Sequence, residues 1–165
     1  MMMANNAQKY DVKAGLENIT AFDVVGLSIV TSNENASEDI NALWERFFKE
    51  SIGQSVENRL DDVIYAVYSD YEGDHTKPYR FTIGYKIKDA PQLGGDLYHV
   101  QVQTADYALM SAAGEQPKAL IETWTAIWQS DLDRRFETDF EVYGQRFFED
   151  GVHEVLVAIG VNLED

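Results

Sequence analysis

The residues best suited to chemistry stand together in the run Thr138-Asp-Phe-Glu-Val-Tyr143. Read as a strand, it places Asp139, Glu141 and Tyr143 on one face and Phe140 and Val142 on the other. A carboxylate such as Glu141 in the middle of an apolar strand is costly to bury unless it is paired. Two readings follow. Glu141 lies on a solvated strand face, or it is a partly buried acid, flanked by aromatic rings, that holds a cation.

The second constellation is aromatic. Trp44 and Phe48, and Trp124 and Trp128, are i, i+4 pairs on apolar stripes of helical spacing. Such residues serve either as ordinary core or as the walls of a pocket. A cation over a Trp or Tyr face gains about 0.5–2 kcal/mol, more when water is excluded.

Other chemistries find no machinery. The acidic stretch Asp70-Tyr-Glu72-Gly-Asp74-His75 lacks the Gly and Glu of a calcium loop; His75 and Phe81 occupy those places. His75, His99 and His153 lie far apart, with no metal-ligand spacing. The chain contains no cysteine, which excludes disulfides, thiolate catalysis and Cys-ligated zinc. Neither a nucleophile elbow nor a P-loop nor a dinucleotide fingerprint occurs. We therefore assign no catalytic residue, metal or cofactor. Paired carboxylates, Glu141 with Glu34 or Glu122, remain the one route to acid–base chemistry.

The chain has 165 residues, with 13 Lys and Arg against 29 Asp and Glu, a formal charge of 13 − 29 = −16. That balance argues against direct binding to nucleic acid or to an anionic membrane. It favours cationic partners or simple solubility. With 45% hydrophobic residues the chain can bury a core. No apolar run reaches the roughly 20 residues of a membrane helix, and the N-terminus lacks an apolar signal core, so a cytoplasmic location is expected.

The elements that must position these groups follow from periodicity. Residues 1–20 read as a polar arm, and residues 21–165 as one domain. Strands are expected at Phe22–Val30, Asp62–Asp70, Tyr79–Ile87, Leu97–Met110, Thr138–Tyr143 and Glu154–Val161. Ser37 caps a first helix carrying Ile40, Leu43, Trp44, Phe47 and Phe48, and ending near Ser51 to Gly53. A second runs from Gln116 to about Leu132. The Pro91 and Gly94-Gly95 loop separates two halves, about 21–90 and 96–163.

Each half has the order strand-helix-strand-strand, and the halves repeat. Ile64-Tyr-Ala-Val-Tyr68 lies over Asp139-Phe-Glu-Val-Tyr143, so Glu141 superposes on Ala66 and Tyr143 on Tyr68. Phe81-Thr-Ile-Gly-Tyr85 lies over Val157-Ala-Ile-Gly-Val161, and Trp44 and Phe48 are echoed by Trp124 and Trp128. The pattern predicts an α+β fold of two tandem modules related by a pseudo-twofold. Its sheet would be antiparallel, with both main helices on one face and a cleft between them. Alternation alone does not say which strand face the helices cover, because Tyr65 and Val67 are as apolar as Ile64 and Ala66.

Ile64-Tyr-Ala-Val-Tyr-Ser-Asp-Tyr-Glu-Gly-Asp74, followed by Tyr79 and Ile83-Gly84, resembles the effector-binding domain of AraC-type regulators and the GyrI-like small-molecule-binding superfamily. So does Trp124-x-x-x-Trp128 followed by Arg135-Phe-x-x-Asp-Phe-Glu141-Val-Tyr143. The resemblance spans roughly Ala21 to Val161. It implies that Glu141 reaches into a central cleft and attracts cationic, often aromatic, ligands. The walls would fall to Trp44, Phe48, Tyr68, Trp124, Trp128 and Tyr143. AraC-type regulators also carry a helix-turn-helix region, for which no room remains, so the chain resembles an effector-binding domain alone. A transcriptional role would then need a partner protein. The alternatives are a small-molecule hydrolase using cleft glutamates, and an acidic inhibitor of a nucleic-acid enzyme such as gyrase.

Overall fold

The computed structural model describes residues 15–74, 76–91, 93–149 and 152–162. His75 and the arm up to residue 14 lie outside the described residues. Among the described residues, eight strands and four helices follow one another. They are β1 (Gly15–Ile19), β2 (Phe22–Thr31), α1 (Ala36–Lys49), α2 (Ile52–Ser55), β3 (Arg59–Ser69) and β4 (Tyr79–Ile87) in the first part. The second part holds β5 (Tyr98–Val102), β6 (Ala105–Ala112), α3 (Lys118–Gln129), β7 (Arg134–Tyr143), α4 (Gln145–Phe148) and β8 (Val155–Val161).

All eight strands form one antiparallel sheet in the order β1-β6-β8-β7-β3-β4-β2-β5. The two modules, β2-α1-β3-β4 and β6-α3-β7-β8, meet at its centre through β3 and β7. Their register there pairs Ala66 with Glu141 and Tyr68 with Asp139. Ala66 and Glu141 are thus equivalent in the sequence repeat and also direct cross-strand partners. Only a twofold axis passing between them satisfies both conditions.

Both faces of this sheet are covered, which explains why its strands read as apolar runs rather than clean alternations. One core lies under the helices, around Phe47, Ile64, Ala66, Ile83, Trp124 and Ile159. The other lies on the opposite face, around Val24, Val67, Val102, Tyr107, Phe140 and Ala158. The glycine of each repeated Ile-Gly step admits neighbouring backbone. A Cβ at Gly84 would stand 2.1 Å from the Val25 carbonyl oxygen, and one at Gly160 would stand 3.0 Å from that of Thr138.

The opposite face is closed by an unexpected connection. The sequence suggests one strand from Leu97 to Met110 and an arm up to residue 20. Instead β5 and β6 are separate strands, and residues 15–19 of that arm form β1. β5 pairs with β2 of the first module, whereas β1 pairs with β6 of the second. The rungs Gly26–Tyr98, Phe22–Val102, Ile19–Ala105 and Gly15–Leu109 keep a single register throughout. β1–β2 and β5–β6 are therefore two long bent strands crossing the molecule side by side. At the crossing the Ala21 amide donates to Thr104 Oγ1 at 2.7 Å, and Tyr107 Oη donates to the Gln103 carbonyl at 2.6 Å.

Helix boundaries differ from expectation at the caps. α1 begins at Ala36, one residue before Ser37, because Asn35 closes a turn onto the Ser32 carbonyl. The Thr31 hydroxyl then anchors the first turn through Asp39 at 2.7 Å. α3 begins at Lys118, and the Gln116 side chain accepts the Leu120 amide at 3.1 Å. β7 starts four residues earlier than predicted, through an irregular stretch in which Phe136 has φ 55°. No helix among the described residues is long and apolar enough to cross a membrane.

Candidate functional site

A cavity of about 570 Å³ lies on the helix-covered face, between α1 and α3 and floored by β3 and β7. Its position follows from the repeat. Two amphipathic helices related by a twofold leave a gap on the axis, and Glu141, the cross-strand partner of Ala66, lies on the floor of that gap.

Glu141 is 1% exposed and every oxygen it has is engaged. Tyr68 Oη donates to Oε2 at 2.7 Å, Trp124 Nε1 donates to the same oxygen at 2.7 Å, and Tyr143 Oη donates to Oε1 at 2.6 Å. A carboxylate has about four acceptor sites, so three donors nearly saturate it. Burial raises the Glu141 pKa above the ordinary carboxylate range, and the hydrogen bonds from Tyr143, Tyr68 and Trp124 oppose that rise. The tyrosines respond in turn. Desolvation, and then the nearby Glu141 charge, hold the hydroxyls of Tyr68 and Tyr143 well above their usual pKa, so both remain donors. Burial, with Glu141 next, pushes Tyr79 up to about 12.

The rings form two matched, inclined pairs. Tyr68 packs on Trp124 with centroids 4.9 Å apart, and Tyr143 packs on Trp44 with centroids also 4.9 Å apart. The twofold exchanges these pairs. Only the tryptophan contribution differs, since Trp124 Nε1 reaches Glu141. Phe48, 57% exposed, and Trp128, 37% exposed, stand at the mouth with Ile121 and Phe148. All seven residues singled out from sequence (Glu141, Tyr143, Tyr68, Trp44, Phe48, Trp124 and Trp128) line this one cavity. The open question of strand face is also answered: Ala66, Tyr68, Glu141 and Tyr143 face the helices, while Tyr65, Val67 and Phe140 lie on the other side.

Sequence reasoning missed a second polar group in the wall. Arg134, at the start of β7, has a side chain only 5% exposed. Its Nη2 donates to Asp139 Oδ2 at 2.8 Å, and Tyr71 Oη donates to the same oxygen at 2.5 Å. The other oxygen, Asp139 Oδ1, accepts the Gly160 amide at 2.8 Å. Phe136 lies 4.3 Å from the Arg134 guanidinium carbon, and the rings of Tyr71 and Trp124 each lie 5.9 Å from it. Only the five-residue spacing from Arg134 to Asp139 is visible in the sequence, and it carries no signal by itself. Of the alternative acid–base partners, neither Glu34 nor Glu122 is part of the cavity wall. No group of three or more metal-ligating side chains occurs among the described residues.

The chain matches known proteins over nearly this whole architecture. It is 31% identical over 141 residues to YobU of Bacillus subtilis (strain 168), whose name describes a candidate transcriptional regulator. That match covers 79% of this chain and 88% of YobU. Among solved structures it is similar to an integron cassette protein from the mobile metagenome of Vibrio cholerae. The TM-score is 0.71 with 26% identity, covering 90% of this chain and 95% of the other. It also shares its fold with SAV2435, solved bound to tetraphenylphosphonium, at TM-score 0.70 and 16% identity, covering 89% and 92% of the two chains. The fold is that of the GyrI-like effector-binding proteins, as the sequence resemblance implied. Residues 15–159 match the Cass2 family, and the chain belongs to these integron-associated effector binding proteins.

Proposed function

We propose that the chain is a non-enzymatic receptor for small cationic or amphipathic aromatic molecules, held in the cavity with Glu141 as counter-ion. The observation that carries this reading is a single carboxylate, buried and nearly saturated by three donors, on the floor of an aromatic cavity. A desolvated carboxylate attracts a cation far more strongly than one in water. Because three of its roughly four acceptor sites are occupied, it selects for charge more than for N–H donors. A lipophilic cation whose charge is spread or shielded by rings meets that condition, and the tyrosine and tryptophan faces supply the apolar and cation–π contacts. The tetraphenylphosphonium bound by SAV2435 is a molecule of this kind. The locked carboxylate is poorly placed to shuttle protons, which disfavours a hydrolase. A link to transcription, as the name of YobU suggests for that protein, would run through a partner protein.

Titration with tetraphenylphosphonium, followed by tryptophan fluorescence, tests the proposal. Glu141→Gln keeps the shape, with its amide oxygen accepting from Tyr68 and Trp124 and its amide nitrogen donating to the Tyr143 hydroxyl, but removes the charge. We expect about a 30-fold loss of affinity, roughly 2 kcal/mol, with unchanged circular dichroism. Undiminished affinity in that variant would sink the proposal.

The pH dependence has a definite sign. Since the folded-state pKa of Glu141 is raised, its protonated form is the better accommodated. Its contribution to stability is fully present below the unfolded pKa and is lost as pH rises through the folded pKa. Cation affinity runs the other way, falling as pH drops through that raised value. The ligand thus stabilises most at neutral pH, where the bare carboxylate costs most. Thermal shifts with tetraphenylphosphonium should shrink between pH 7 and about pH 4.5, and shifts independent of pH would contradict the assignment.

A further inference from the structure

The Arg134 guanidinium has one donor committed to Asp139, but its Nε and Nη1 have no acceptor among the described residues and are shielded from solvent. Orphaned N–H groups on a buried charged side chain are expensive, and each calls for a partner, whether a water, an ion or an atom of a ligand. Arg134 is part of the wall of the same cavity as Glu141, and the Trp124 indole separates the two: Nε1 donates to Glu141, and the ring lies 5.9 Å from the Arg134 guanidinium carbon. The Arg134 charge is balanced by Asp139, so it presents hydrogen-bond donors without a full repulsive charge. Rings cover it. Phe136, half-buried, sits at 4.3 Å in the irregular stretch of β7 with a left-handed φ of 55°, and belongs to a segment outside the regular ladder.

We infer that Arg134 forms a second subsite that binds a hydrogen-bond acceptor on the ligand, so that the preferred ligands are aromatic cations carrying a carbonyl or similar acceptor about one ring away from the charge. This inference rests on the reading of the cavity as a cation site and adds polarity to it. The positive end lies toward Glu141 and the acceptor end toward Arg134, which fixes the orientation of the bound molecule. An acceptor reaching Arg134 takes the place of covering ring atoms and bonds one of the free N–H groups.

Matched probes test it. Triphenylphosphonium cations bearing one para- or meta-acetylphenyl ring are compared with the isopropylphenyl counterparts, which have the same charge and nearly the same shape but no acceptor. At least one acetyl isomer should bind about tenfold tighter than its counterpart. Its binding should also shift the Arg134 Nε–H resonance, which the isopropyl probe leaves in place. The preference should fall to about one in Arg134→Met/Asp139→Asn, a pair chosen so that no charge is left buried alone. If that variant does not fold, the preference and the resonance shift in the unaltered protein decide. No preference for either acetyl isomer, or a preference that survives in the folded double variant, overturns the inference. Failure of the underlying cation site is distinguishable, because isopropyl affinity would then be insensitive to Glu141→Gln. If no probe binds, both readings fall.

Discussion

The two modules are closest to identical in their aromatic residues and furthest apart in their charged ones. Tyr68 on Trp124 and Tyr143 on Trp44 repeat the same contact at the same spacing. Along the strands beneath them, Ile64 and Ala66 of the first module stand where Asp139 and Glu141 stand in the second. Aromatic symmetry belongs to the fold, and the buried charge has been loaded onto one half. The geometry requires that. Cross-strand partners have Cβ atoms about 5 Å apart, so an acid at both equivalent positions would bury two like charges side by side. One carboxylate on the axis, by contrast, can draw a tyrosine from each module.

Restoring the symmetry should therefore be the most damaging change. Ala66→Glu is expected to cost about 5 kcal/mol or more at pH 7, because like-charge burial and overpacking add. The charge component should recover on acidification, as followed by urea unfolding. Exchanging the residues, Ala66→Glu with Glu141→Ala, keeps one acid between the same tyrosines and should regain most of that loss. An exchanged protein no more stable than Ala66→Glu would mean that the halves are not equivalent around the axis.

Making the second half resemble the first at its other acid has the next largest effect. Asp139→Leu leaves Arg134 buried without its counter-charge and should cost about 3–5 kcal/mol in thermal or urea unfolding. Adding Arg134→Met should return at least half of it, because an apolar pair is well tolerated where an ion pair was buried. No recovery would show that Asp139 stabilises mainly through the Gly160 amide and Tyr71. The smallest difference concerns the tryptophans. Trp124→Phe removes a donor from Glu141 and should weaken tetraphenylphosphonium binding about fivefold, whereas Trp44→Phe should change it about twofold. Equal losses would place the tryptophan contribution in ring area alone.

The repeat was legible because hydrophobic spacing and the Ile-Gly steps survive in both halves, and the helices and inner strands follow from it. Glu141 stood out for the same reason: one acid interrupts a pattern that its counterpart, Ala66, keeps apolar. β1 was hidden because Gly15-Leu-Glu-Asn-Ile19 is short, polar and exposed over its middle three residues, as an edge strand is. Arg134 was hidden for another reason. It sits beside Arg135 in a charged stretch where nothing local separates the two. Only the bend of β7 buries Arg134 among Phe136, Tyr71 and Trp124 while Arg135 pairs with Glu137 nearer the surface.

The long bent strands β1–β2 and β5–β6, on the side away from the cavity, also bear on how a molecule gets in. A cleft between two modules usually opens like a book, with the halves swinging about their shared edge. Here the spine is laced, because the Phe22–Val102 and Ile19–Ala105 rungs tie each module's leading strand to the strand that runs into the other's. Swinging the halves apart would tear that ladder. With the halves held together, a ligand would pass the exposed side chains at the mouth, Phe48, Ile121, Trp128 and Phe148, and their rotation would admit it without moving a domain.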